Sequence, residues 1–158
     1  MIVSHNQLAN IRVQNRDKKI VLTSGTFDLF HIGHLNYLKA VKAYGDIVVV
    51  MLSGDNRIQT RKGIERPIFP ENERAQILDA LKTVDFVFID PGNNTSEHTD
   101  SIYTDILANL QPDIYATDGE DIRLSKIIDE SKYVTLPRVK GGKYASTTAI
   151  VEHITKLS

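Results

Sequence analysis

The chain contains no cysteine and no tryptophan. Without cysteine there is no disulfide framework, no thiolate metal centre and no cysteine nucleophile. An excess of charge is missing too: 19 Lys and Arg stand against 20 Asp and Glu, leaving a net charge of −1. A surface that neutralises a nucleic-acid backbone needs a basic surplus, so no nucleic-acid partner is expected. A local Lys/Arg cluster still suits a small anion. No apolar run approaches the length of a membrane span, and Met1-Ile2-Val3-Ser4-His5-Asn6-Gln7 lacks the basic-then-apolar build of a signal peptide. The expectation is a cytoplasmic protein with no membrane partner.

What is present suffices for a core. Hydrophobic residues make up 41% of 158 positions, which excludes general disorder and suits one domain, 1–158. Residues 1–18 form a lead-in helix or extension, with a helix over His5–Asn15. Short β-branched runs then alternate with helical patterns. Strands are expected at Lys19–Ser24, Asp46–Leu52, Val84–Ile89, Ile114–Ala116 and Tyr133–Leu136. Asp46–Leu52 (DIVVVML) is almost wholly apolar, as a strand buried on both faces requires. Helices are expected at Leu35–Tyr44, Pro70–Lys82, Asp100–Leu110, Ile122–Ser131 and Ser146–Lys156, with loops at Ser53–Phe69 and Pro91–Glu97. Pro70 suits a first helical turn, and Glu71 and Glu73 suit its positive end. The alternation predicts an α/β fold: a Rossmann-like, doubly wound, parallel five-stranded sheet covered by helices on both faces. Such sheets bind ligands beyond the carboxyl ends of their strands, where strand order reverses.

The unusual residues fall at those ends. The first strand runs into Gly25-Thr26-Phe27-Asp28-Leu29-Phe30-His31-Ile32-Gly33-His34, which leads into a helix. Backbone N–H groups and the dipole at a helix start attract anions. Gly33 allows close approach to the backbone. Imidazoles donate to phosphate oxygens that gain charge in a transition state. Strand, turn and paired histidines together suit phosphoryl or nucleotidyl transfer. The last helix opens on Ser146-Thr147-Thr148, three hydroxyls where an ordinary N-cap needs one. Lys140, Gly141, Gly142 and Lys143 precede it.

The run GTFDLFHIGH resembles the signature of the cytidylyltransferase-like nucleotidylyltransferase superfamily. The resemblance continues through Tyr37-Leu38, Gly45-Asp46, Asp55, Lys62 to Ile68, Glu73 to Leu78, Val84 to Val87, Gln111-Pro112-Asp113 and Ser146 to Ile150. Within the superfamily the chain most resembles the adenylyltransferase that makes ADP-heptose from heptose 1-phosphate, with glycerol-3-phosphate cytidylyltransferase next. Two stretches depart from that pattern. Thr117-Asp118-Gly119-Glu120 stands where a Lys-Gly-Gly-Asp is usual, and the segment Arg138 to Ala145 is longer.

The resemblance implies a nucleotidyl transfer from an NTP, ATP or CTP, to a phosphorylated small molecule, with release of pyrophosphate. It implies catalytic roles for His31, His34 and Lys62. Gly25, Thr26, Phe27, His31, Gly33, His34, Gly119, Ser146, Thr147 and Thr148 would bind the nucleotide. Asp28, Arg66 and Arg74 would serve the acceptor. Phe27 reads equally as core, Asp28 as a turn residue accepting backbone N–H bonds, and Arg74 as a helix arginine paired with Glu71 or Glu73. Mg²⁺ is expected as the NTP complex, held mainly by phosphates and water, with no dedicated metal ligands. A homodimer is expected by the same resemblance.

Overall fold

The computed structural model describes residues 1–92, 96–119, 127–137 and 146–157, with the side chains of 96–99 excepted. A short 3-10 turn at His5–Gln7 opens into helix α1, Leu8–Gln14. Next in the chain are β1 (Ile20–Gly25), α2 (Ile32–Lys42), β2 (Ile47–Leu52), α3 (Asp55–Lys62), α4 (Glu71–Asp79) and β3 (Phe86–Ile89). The chain ends with α5 (Ser96–Leu110), β4 (Ile114–Thr117), β5 (Tyr133–Thr135) and α6 (Thr147–Thr155).

All five strands are parallel, in the order β3-β2-β1-β4-β5. Strand order reverses between β1 and β4, so the crevice that such a fold offers a ligand lies beyond Gly25 and Thr117. The central strand β2 is apolar on both faces because both faces are covered. Ile47, Val49 and Met51 of β2 join Leu8, Ile11, Ile106 and Leu110 of α1 and α5. Val48, Val50 and Leu52 point the other way, to Leu38, Val41, Ala75 and Leu78 of α2 and α4. This is the period-2 alternation of a strand, with each set meeting its own layer of helices.

Arg12 ties α1 to the sheet's amino end. It donates to the Leu110 and Gln111 carbonyls and to Asp113 (2.7 Å), whose carboxylate also accepts the Ile20 N–H. Burial pushes the Asp113 pKa up, but the bonds from Arg12 and Ile20 outweigh it and the net shift is downward.

Three expectations need correction. The stretch expected as a loop from Ser53 to Phe69 contains α3. Its sequence, DNRIQTRK, buries only Ile58, so it has no apolar stripe to reveal it. Helix α2 begins at Ile32 rather than Leu35, because the histidine motif is itself the first turn. In the expected helix Ile122–Ser131, residues 122–126 lie outside the described residues. The described end of that stretch is a 3-10 turn at Glu130–Lys132, capped by Asp129.

Candidate active site

A cleft of about 270 Å³ opens at the strand-order reversal. Ser24, Gly25 and Phe27 line it from the end of β1, His31, Gly33, His34 and Tyr37 from α2, and Lys62 from the end of α3. Asp118 lies just past β4, and Ser146, Thr147 and Thr148 open α6. Residues from four separate stretches of sequence thus converge on one concavity.

The turn between β1 and α2 has an improbable backbone. Phe27 and Leu29 have φ of 49° and 45°, a left-handed region that costs a non-glycine residue about 1–2 kcal/mol. Such strain persists only where its surroundings hold it. Here they do so from three sides. Arg74 donates to the Thr26 carbonyl (2.6 Å). Asp28 accepts from the Ile68 and Phe69 N–H groups and from Arg66 (all 3.1 Å). Thr147 donates its hydroxyl proton to the Asp28 carbonyl (2.9 Å), bringing the start of α6 down onto the turn. The Phe27 ring folds over Gly25, where a Cβ would meet its Cε2 at 2.7 Å.

His31 is the N-cap of α2. Its Nδ1 accepts from the Gly33 and His34 N–H groups at 3.1 and 3.4 Å. An imidazole nitrogen that accepts carries no proton, so the proton of neutral His31 sits on Nε2. The helix start therefore works differently from the simple anion cradle. Two of its N–H groups are engaged by His31, and the imidazole presents an Nε2–H donor in their place.

The His31 and His34 rings stack with centroids 3.7 Å apart. The His34 ring also contacts Phe27 edge-on at 5.2 Å and Phe30 at 5.5 Å. Burial, helped by His31 and Lys62 against the opposing pull of Asp28, lowers the His34 pKa to about 4. Burial also lowers that of His31. Both rings are neutral donors at neutral pH, and His34 Nδ1 is buried with no hydrogen-bond partner among the described residues.

The remaining predicted residues divide between cleft and scaffold. Lys62 is exposed and lines the cleft. Ser146 Oγ accepts the Ala149 N–H as an N-cap and Thr147 bonds to Asp28, while Thr148 lines the cleft beside them. Gly119 closes a small loop with the Thr117 hydroxyl, which donates to its carbonyl at 2.9 Å. Thr26 contributes its carbonyl to Arg74.

Of the residues assigned to the acceptor, Asp28 is buried and Arg74 is 0% exposed. Arg74 donates to the carbonyls of Phe69, Thr26 and Ser53 and to Asp55 (2.6 Å). It lies beneath the cleft, and its bonds are to Asp55 and backbone carbonyls rather than to Glu71 or Glu73. Arg66 keeps some exposed surface beside Asp28. The segments 120–121 and 138–145, singled out in the sequence, lie outside the described residues.

Three cleft residues carried no site assignment in the sequence. Tyr37 bonds to the Thr23 hydroxyl (2.7 Å) and donates to the Ala116 carbonyl (3.0 Å), bridging β1 and β4 at the reversal. Its burial raises its pKa. Ser24 bonds to the Tyr115 hydroxyl at 2.6 Å. The signal for Tyr37 was its place one turn after His34, on the same face of α2. Asp118 was visible as the carboxylate after the fourth strand.

No group of three or more His, Asp or Glu residues suited to a metal occurs among the described residues. Nor is any described helix long and apolar enough to cross a membrane.

Comparison with known proteins supplies the lineage. The bifunctional protein HldE of Nitratiruptor sp. is 35% identical over 150 residues, covering 94% of this chain and 30% of that protein. HldE of Campylobacter curvus is 36% identical over 155 residues, covering 97% and 31%. The chain therefore spans about a third of the length of these relatives. The crystal structure of a lipopolysaccharide core biosynthesis protein from Thermoplasma volcanium superposes with a TM-score of 0.57 at 28% identity, covering 79% of this chain and 98% of that one. The cytidylyltransferase-like family model matches residues 22–152, from β1 through α6, and the chain belongs to that family.

Proposed function

We propose that the protein transfers an adenylyl group from ATP to a sugar 1-phosphate, with heptose 1-phosphate the preferred acceptor. The observation that carries this reading is the stacked pair His31 and His34, neutral and proton-donating, in a cleft shared with Lys62 and the start of α6. The family, the HldE relatives and the solved lipopolysaccharide-core relative all support it.

An acceptor phosphate oxygen would attack the α-phosphorus of ATP in line. The bond from that phosphorus to the bridging oxygen breaks, and pyrophosphate leaves with the electron pair. No protein nucleophile is needed, so the residues act by position and charge. His31 Nε2–H and His34 donate to α-phosphate oxygens as charge builds on them, and the Lys62 ammonium offsets the charge at the cleft mouth. Thr148 and the start of α6 would meet the leaving phosphates. The described cleft offers one carboxylate, Asp118, amid N–H and O–H donors. That donor set fits a Mg²⁺ ion carried on the triphosphate, with Asp118 the residue present to contact it, rather than a protein cage. The ion would supply further neutralisation of phosphate charge.

The decisive experiment measures pyrophosphate release with ATP and with CTP across a panel of phosphorylated acceptors, heptose 1-phosphate and glycerol 3-phosphate included. Release is expected only when nucleotide and acceptor are both present, and fastest with ATP and heptose 1-phosphate. His34→Ala should lower kcat by about 10²–10³-fold, the usual loss when one donor to developing charge is removed. Full turnover by that variant would refute the role given to His34.

A further inference from the structure

We infer that the Arg57–Asp90 ion pair positions Lys62 in the cleft, so that Arg57, although outside the cleft, governs the rate. The inference rests on the role given to Lys62 under the proposed function.

Helix α3 carries Lys62 as its last residue and has little apolar surface of its own to orient it. Ile58 is its one buried side chain. Its first turn is held by reciprocal bonds with the start of α4. The Asp55 N–H donates to Glu71 Oε2 (2.8 Å), and the Glu71 N–H donates to Asp55 Oδ2 (3.1 Å). Arg57 lies in the same first turn, two residues on and about 160° round the helix axis from Asp55, so its bond to a different element fixes the rotation of the helix as well as its position.

Arg57 donates to Asp90 Oδ2 at 3.1 Å, and its guanidinium lies 5.3 Å from the centre of the Tyr103 ring. The Asp90 side chain is 2% exposed, just past the end of β3. It accepts two further bonds among the described residues: Tyr103 donates to the same oxygen (3.1 Å), and the Gly92 N–H donates to Oδ1 (2.9 Å). The carboxylate thus joins α3, α5 and the end of β3 at one point.

Arg57 and Lys62 are separated by about 7.5 Å of helix and by about 140° around its axis. One faces the sheet edge while the other faces the cleft. Beyond Lys62 the helix ends at Gly63, with φ of 95° and open space where a Cβ would stand, and the chain is tied to Asp28 further on, through Arg66, Ile68 and Phe69. A buried ion pair contributes little net stability over apolar packing of the same volume. What it supplies here is direction, and a cation displaced by about 1 Å can lose about 10²-fold in rate.

The test is a double-mutant cycle on pyrophosphate release from ATP and heptose 1-phosphate, run at a temperature where every variant is folded by circular dichroism. Arg57→Met is expected to lower kcat about tenfold with KM for ATP changed less than about twofold. Arg57→Lys should recover part of the loss, and Asp90→Asn, which keeps the side chain's volume, should reproduce it. In the Lys62→Ala background the effect of Arg57→Met should shrink to less than about twofold, because the group being positioned is gone. Equal losses in both backgrounds, or an unchanged kcat in Arg57→Met and Asp90→Asn, would overturn the inference while leaving the role of Lys62 intact. A fully active Lys62→Ala variant, or a wild type without turnover, would instead refute the underlying reading, and the positioning role with it.

Discussion

Replacing Arg74 by methionine separates a scaffold residue from a ligand-binding one. Methionine keeps the apolar stem and most of the volume and removes every donor. In the wild type Arg74 is fully buried and donates to three backbone carbonyls and to Asp55, at 2.6 to 2.9 Å. Each buried acceptor left without a partner costs about 1–3 kcal/mol. Four such losses do not add in full, because Asp55 is 27% exposed and keeps its bond from the Glu71 N–H. Removing one partner of a buried charged network typically costs about 3–5 kcal/mol, and about 4 kcal/mol is expected here. For a domain of this size that lowers the melting temperature by about 8–16 °C.

Urea denaturation followed by circular dichroism measures the free energy directly. Arg74→Lys, with one ammonium in place of the fork, should recover part of it. The loss should appear before any acceptor is added, since the contacts are internal. A variant within about 1 kcal/mol of wild type but with a raised acceptor KM would refute the scaffold role and restore Arg74 to the acceptor site.

Three further outcomes are expected around the same turn. His31→Asn should hold stability within about 0.5 kcal/mol, because asparagine is a good N-cap, yet lower kcat by about 10²–10³-fold; parallel losses of both would show that the imidazole is only a cap. Gly25→Ala should reduce turnover and lower the melting temperature, because the new Cβ meets the Phe27 ring at 2.7 Å; wild-type behaviour would mean the ring moves without consequence. The third concerns pH. His34 has a folded pKa of about 4 against an ordinary 6.5, so above pH 6.5 it contributes no penalty. As pH falls from 6.5 towards 4 the unfolded chain takes up a proton that the folded one does not, and stability is lost, by at most about 2 kcal/mol at pH 5. Melting temperatures at pH 7 and pH 5 should therefore drop further for wild type than for His34→Gln; equal drops would contradict the burial of that ring.

The five strands and the helices α1, α2, α4, α5 and α6 were legible because each carries its own pattern. DIVVVML reads as a doubly covered strand by itself. Helix α3 was not legible, since DNRIQTRK has no apolar face and is held by Asp55, Glu71, Arg74, Arg57 and Asp90, none of whose pairings is visible from spacing. The place of the histidine motif was legible for the opposite reason: His31, Gly33 and His34 lie within one turn of helix and line one cleft, where a strand-to-helix pattern already marks a turn. Burial is what such reading does not supply: Asp28 and Arg74 carry charges that suit an acceptor site, and the fold buries both side chains away from the cleft lining.

By itself the sequence determined the layers, the parallel sheet and the turn that carries the histidines, because these depend on periods of two and 3.6 residues and on contacts within a few positions. Tertiary structure decided which charged side chains face the cleft and which are buried beneath it. It joined Asp28 to Arg66, Thr147 to the Asp28 carbonyl and Asp90 to Arg57, pairs separated by 33 to 119 positions. The physical reason is that a charge near a helix end satisfies any suitably placed partner, and only the folded chain specifies which partner comes within about 3 Å.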